Sequence, residues 1–123
     1  MKLEHLTSRI LGGAIKVHTA LGPGLLESAY RLCLYQDLTL EGLGVELEWP
    51  LPLTYRGLQL DAGYRIDLRV EKQVIVELKS VKAVLPVHEA QLLSYLKLSG
   101  CEVGLLINFN VVHLRDGIIR RVL

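Results

Sequence analysis

The sequence predicts an α/β sandwich built on a mixed sheet, and three observations predict it. Apolar residues recur at helical spacing as far as about residue 41. The period then changes to two between residues 45 and 81. A further helical stretch and an almost uninterrupted apolar strand follow, the order that lays a strand parallel to an earlier one. At 123 residues the chain fits a single domain, 1–123, with a core of its own.

The elements follow in order. Leu6, Ile10, Ala14, Val17 and Leu21 mark a helix over about 3–21, which Gly22-Pro23-Gly24 breaks. A second helix covers about 25–41, with Leu25, Leu26, Ala29, Leu32, Cys33 and Leu40 as its apolar side and Gly42 and Gly44 ending it. Residues 45–55 form a strand bent by Pro50 and Pro52, which suit a sheet edge. After a turn near Gly57, residues 61–70 and 74–81 give two more strands and complete an antiparallel meander. Pro86 opens a third helix over about 87–99, which Gly100 ends. That helix has the length to cross over and set 102–108 parallel in the same sheet, buried on both faces. A last strand lies around 111–121. The order is α-α-β-β-β-α-β-β.

Lys and Arg total 14 against 13 Asp and Glu, a net charge of +1, so no global basic field marks the chain as a nucleic-acid binder. Hydrophobic residues make up 50% and leucine alone more than a fifth, which points to a homo-oligomer, dimer or larger. Cys33 and Cys101 form no CxxC pair and read as reduced thiols in apolar surroundings. Glu4, His5 and Arg9 interrupt any signal-peptide run, and no apolar stretch reaches membrane-spanning length. A cytoplasmic protein with no membrane partner is the expectation.

The charges inside the strands carry the functional information. In "YRIDLRV", Tyr64, Ile66, Leu68 and Val70 point one way, and Arg65, Asp67 and Arg69 the other. In "VIVELKS", Ile75, Glu77, Lys79 and Val81 share a face. A hairpin centred on Lys72 sets Asp67 across from Glu77 and Arg65 across from Lys79, with opposed Cβ atoms about 4.5–5.5 Å apart. The plain alternative is a surface ladder in which Lys79 and Arg69 neutralise the acids. The apolar flanks argue instead for a partly covered face, where two close carboxylates share a proton or hold a cation. Oxygen ligands suit Mg²⁺ or Mn²⁺.

Two further stripes add polar groups. Glu27 and Tyr30 lie three apart on one helical face, and His88, Gln91 and Tyr95 form another. Each has a structural reading: Glu27 as a first-turn acid favoured by the helix dipole, His88 as an N-terminal helix residue, Tyr95 as a core aromatic.

The stretches "LGPGLLESAY", "GYRIDLRVEKQVIVELKSV", "PVHEAQLLSYLKLSG" and "VGLLINFN" together resemble the GxxExxY proteins, a family placed within the PD-(D/E)xK nuclease-like superfamily. The resemblance implies a restriction-endonuclease-like core of helix, three-stranded meander, helix and strand. It implies Asp67 as the first metal-binding acid, Glu77 and Lys79 as the E-x-K element, and Glu27 as a helix-one glutamate reaching the metal or its water. Gln91 with Tyr95 resembles the QxxxY element. The proline of the superfamily's name is absent, since Ile66 precedes Asp67.

The function expected is Mg²⁺- or Mn²⁺-dependent phosphodiester hydrolysis of DNA. Asp67, Glu77, the Leu78 carbonyl and Glu27 would hold the metal, and Lys79 would orient the attacking water. Gln91, Tyr95, Tyr30 and Arg65 would position substrate, with Arg69 and Lys82 on the nucleic-acid backbone. The alternative is a catalytically silent nuclease fold acting as an oligomeric or partner-binding module, with Ile118-Ile119 and the leucine-rich helix faces as contact surfaces. Acyl and glycosyl transfer are set aside: there is no GxSxG, and Trp49 is the only tryptophan.

Overall fold

A computed structural model describes residues 1–61 and 63–123. Helices α1 (Glu4–Leu21) and α2 (Glu27–Leu40) come first, then strands β1 (Val45–Pro50), β2 (Leu53–Tyr55), β3 (Leu58–Leu60), β4 (Arg65–Val70) and β5 (Val74–Lys79). Helix α3 (Pro86–Ser99), β6 (Val103–Asn108), a 3-10 turn (Leu114–Gly117) and β7 (Ile118–Val122) complete the chain. The main sheet has five strands in the order β1-β4-β5-β6-β7. β5 and β6 are parallel, and the other neighbours are antiparallel. The expected mixed sheet, with its meander, crossover helix and parallel strand, is the architecture found.

The sheet separates two apolar layers. Leu68, Val70, Val74, Val76 and Leu78 pack with Ile10, Tyr30 and Leu34 of α1 and α2. Ile66, Ile75 and Leu106 pack with Leu92, Tyr95 and Leu96 of α3. Every residue of β6 is buried, as its unbroken apolar run predicts. Close helix approach rests on two glycines. A Cβ on Gly13 would meet Leu38 of α2 at 3.0 Å, and one on Gly104 would meet Leu92 of α3 at 2.9 Å.

Four expectations need correction. The strand expected over 45–55 breaks at Leu51-Pro52, because Pro52 has no N–H for the ladder. Its remainder, β2, pairs with β3 in a separate hairpin turned at Arg56-Gly57, both at positive φ as a tight primed turn requires. The strand expected over 61–70 begins only at Arg65; Ala62 lies outside the described residues. On α2 the buried stripe is Tyr30, Leu34 and Leu38, while Leu32 and Leu40 are exposed. Leucine occurs all round this helix, so periodicity alone did not select the docked side. Finally, Ile118 packs against the α1/α2 layer and Ile119 against the α3 layer, so the pair is not one contact patch.

The last turn seats tightly on the end of β6. A Cβ on Gly117 would lie 2.1 Å from the Asn108 carbonyl oxygen, so the backbone has to move for any side chain to fit. Gly117→Ala is expected to lower stability by about 2 kcal/mol or more. The urea midpoint reads this directly, and an unchanged midpoint would contradict the seating.

Candidate active site

The site sits where the β4–β5 ladder stops. The hairpin turns through Glu71 and Lys72, both in the left-handed region (φ 52° and 56°), and Gln73 N–H closes it on the Val70 carbonyl at 3.0 Å. Glu71 is clamped to Gly44 by a backbone and a side-chain hydrogen bond, each 2.7 Å. The pairs Val70–Val74, Arg69–Ile75 and Leu68–Val76 centre the register on Lys72, as expected. The next pair would be Asp67–Glu77, and there carboxylates replace the ladder. Asp67 N–H donates to Glu77 Oε1 at 3.1 Å, and Leu78 N–H donates to Asp67 Oδ2 at 2.8 Å. Each acid thus satisfies a backbone donor beside the other.

The neighbouring strand explains the interruption. β1 pairs with β4 on both sides of Asp67, at Leu47–Leu68 and Trp49–Ile66, but Glu48 between them has φ 49°. A left-handed residue disrupts regular pairing and increases local twist. Across from it, Ile66 lies in the α3 layer and Leu68 in the α1/α2 layer, which corrects the expectation that they share a face. Asp67 sits at that seam.

Glu77 is buried, on the strand face that carries Ile75 toward α3. Burial, and next the charge of Asp67, push its carboxyl from 4.5 up to about 8; an Asp67 backbone hydrogen bond and the Lys79 ammonium pull the other way. Tyr95 reaches the same place from α3. Its hydroxyl is pushed up by burial and then by the charges of Glu77, Tyr64 and Asp67. Gln91, half-buried, lies one helical turn before Tyr95 on the same face.

Lys79 ends β5, and its carbonyl accepts from Phe109 N–H at 2.9 Å. Among the described residues it forms no ion pair, so the ladder in which Lys79 and Arg69 neutralise the acids is not what is found. Arg69 pairs instead with Glu46 at 2.6 Å and lies 3.9 Å over the Trp49 ring. That commitment also removes it from the expected backbone contacts. The cation beside Asp67 is Arg31 of α2, 3.3 Å away, which sequence reasoning missed. Its position four residues after Glu27 on one helix face was the available signal.

The remaining expected residues divide. Glu27 is half-buried at the start of α2, on the face that Arg31 carries to Asp67. Among the described residues, however, no group of three or more His, Cys, Asp or Glu side chains is placed to hold a metal ion, so Glu27 is not assembled with the acid pair. Tyr30 is fully buried, stacked on Phe109 with centroids 4.5 Å apart. Its hydroxyl donates to the Gly22 carbonyl at 2.6 Å and accepts from Leu25 N–H at 3.1 Å. This corrects its expected role: with its hydroxyl already engaged, Tyr30 shapes the loop before Glu27 and does not face substrate. Arg65 is exposed and pairs with Pro50 of β1, not opposite Lys79, because the β4–β5 ladder has ended by then. His88 accepts from Leu85 N–H at 3.0 Å and caps α3, its structural reading.

Two supports went unread in the sequence. Asn108, a buried amide closing an apolar strand, holds both backbone groups of Val81, at 3.1 and 2.9 Å. Ser80 Oγ donates to the Leu25 carbonyl at 2.5 Å and ties the end of β5 to the start of α2. Lys79 is therefore fixed from both sides.

The raised Glu77 carboxyl gives a pH dependence. Between pH 4.5 and about 8 the folded chain binds a proton that the unfolded chain releases. This contribution is complete below pH 4.5 and is lost as pH rises through about 8. Metal-free protein should lose a few kcal/mol, roughly 1.4 per pH unit, across that window. Chemical denaturation at a series of pH values checks this. Glu77→Gln should flatten the slope, and a wild-type profile flat from pH 5 to pH 8 would contradict the burial argument.

The sequence model of the PD-(D/E)XK nuclease superfamily matches residues 4–122. No curated protein and no solved structure matches the chain. The match takes in the meander, the acid pair, Lys79 and the crossover helix, so the geometry and the family agree over nearly the whole length. The chain belongs to the PD-(D/E)XK nuclease superfamily.

Proposed function

We propose that this protein is a Mg²⁺- or Mn²⁺-dependent nuclease of the GxxExxY type that hydrolyses phosphodiester bonds in DNA. The observation that carries the reading is the interlocked pair Asp67 and Glu77 with Lys79 on the same strand, in a chain of nuclease ancestry. The donor set fits a hard divalent cation. Two carboxylates are a usual protein share for Mg²⁺, which keeps several waters. Burial, and next the charge of Asp67, push Glu77 up to about 8, and a cation between the two carboxylates would oppose both effects.

Asp67 and Glu77 would hold the cation, with the Leu78 carbonyl as a further oxygen and Glu27 acting through water. A bound cation polarises a scissile phosphate and acidifies a water. The protein's own groups do the rest. Lys79 sits half-buried at the strand end, oriented through its backbone by Phe109, and directs its ammonium to the water or the developing phosphorane charge. Tyr95 and Gln91, on one face of α3, position the water or a phosphate oxygen. Exposed Arg65 and Lys82 are left to meet the nucleic-acid backbone.

The second reading, a catalytically silent module, draws on two observations. No third acid joins the pair among the described residues, and exposed Leu32 and Leu40 on α2 offer an apolar surface to a second copy. Among the described residues, no helix is long and apolar enough to cross a membrane.

Plasmid and single-stranded DNA incubated with Mg²⁺ or Mn²⁺ separate the two. Wild-type protein should nick one or both, and Lys79→Ala should be about 10²–10³-fold slower. Mn²⁺ should raise the thermal midpoint of wild type but not of Asp67→Ala. Stabilisation without cleavage would favour the silent module, and the absence of both effects would sink the nuclease reading.

A further inference from the structure

Arg31 is the basic side chain that reaches Asp67, and its environment is unusual. One terminal nitrogen lies 3.3 Å from Asp67 Oδ1 and the other 3.5 Å from Glu48 Oε1. Both distances exceed the roughly 2.7–2.9 Å of a close charge-assisted hydrogen bond, so the guanidinium is shared between two acids and locked to neither. Its Nε is buried without a hydrogen-bond partner among the described residues. An arginine fork normally satisfies its donors on a planar carboxylate, and here it does so incompletely.

The two acids differ. Asp67 has only 16% of its side chain exposed and spends its other oxygen on Leu78 N–H. Glu48 is 54% exposed and sits on the edge strand, at the left-handed residue opposite Asp67. The backbone irregularity that opens the ladder at Asp67 thus also presents a second carboxylate to the same arginine. Arg31 can leave Asp67 without losing its ion pair.

We propose that Arg31 sets the cation affinity of the site, its guanidinium holding Asp67 Oδ1 in the metal-free protein and moving onto Glu48 when a divalent cation takes that oxygen. The inference rests on the metal-binding reading above. Arg31 is a positioning residue here and acts through Asp67. It balances the charge of Asp67 and competes with the cation for Asp67 Oδ1. Glu48 weakens that competition by offering the arginine another place.

Two substitutions should move affinity in opposite directions, which a merely structural role would not do. Mn²⁺ binding is measured by calorimetry on the full chain for wild type, Arg31→Met, Glu48→Gln and Asp67→Asn. Arg31→Met should bind Mn²⁺ about five- to ten-fold tighter, since a sheltered competitor is gone. Glu48→Gln, a change at a half-exposed position that leaves the core intact, should bind several-fold more weakly, and Asp67→Asn should not bind. If Arg31→Met binds no tighter than wild type, or Glu48→Gln no more weakly, the proposal is overturned while the metal site stands. If wild type and Arg31→Met both fail to bind, the proposal and the metal-binding reading fall together.

Discussion

Two carboxylates stand in for two rungs of a β-ladder, and the rest of the site depends on that substitution. Where Asp67 and Glu77 would face each other, each takes a backbone N–H from the opposing segment. This satisfies donors that an interrupted ladder would leave bare. It also brings two acids together with little water. The cost appears in Glu77, whose carboxyl is pushed up mainly by burial and then by Asp67. A region built only for stability would place apolar residues here, as β5 does in the three positions before Glu77. An ionisable pair at the centre of the sheet is not what packing alone selects, and the proposed cation site rests on it.

The surrounding structure is arranged to hold that spot still. β5 is the middle strand of five, with a helical layer on each side. Its end is fixed by Asn108 from β6 and by the bond from Ser80 to Leu25 in the loop before α2. Tyr30 sets the shape of that loop from the core. α2 therefore carries Arg31 to Asp67 on one side, and α3 carries Tyr95 toward Glu77 on the other. None of these supports needs to touch a substrate to matter.

The fold was legible in the sequence because its signals are local. Period-two alternation, the polar Glu71-Lys72-Gln73 turn and the unbroken run at 103–108 fixed the strands and the Lys72-centred register. What was not legible depends on backbone geometry. Nothing in the type of Glu48 announces a left-handed φ, and across from it Ile66 and Leu68 part to different layers, which ends the simple in-and-out pattern. The α2 face was misread because leucines occur on every side of it. Tyr30 was read as a substrate contact because its spacing from Glu27 is regular; its hydroxyl partners are loop backbone groups that no side-chain pattern reveals. Arg31 stands beside residues that drew attention, but its partner is on β4, 36 residues away.

The central claim is that Asp67 and Glu77 form one cation site. Anomalous scattering from crystals soaked in Mn²⁺ tests it most directly. The account predicts one strong peak about 2.1 Å from a carboxylate oxygen of each residue. A peak bound elsewhere and touching neither carboxylate, or no peak at saturating Mn²⁺, would contradict it.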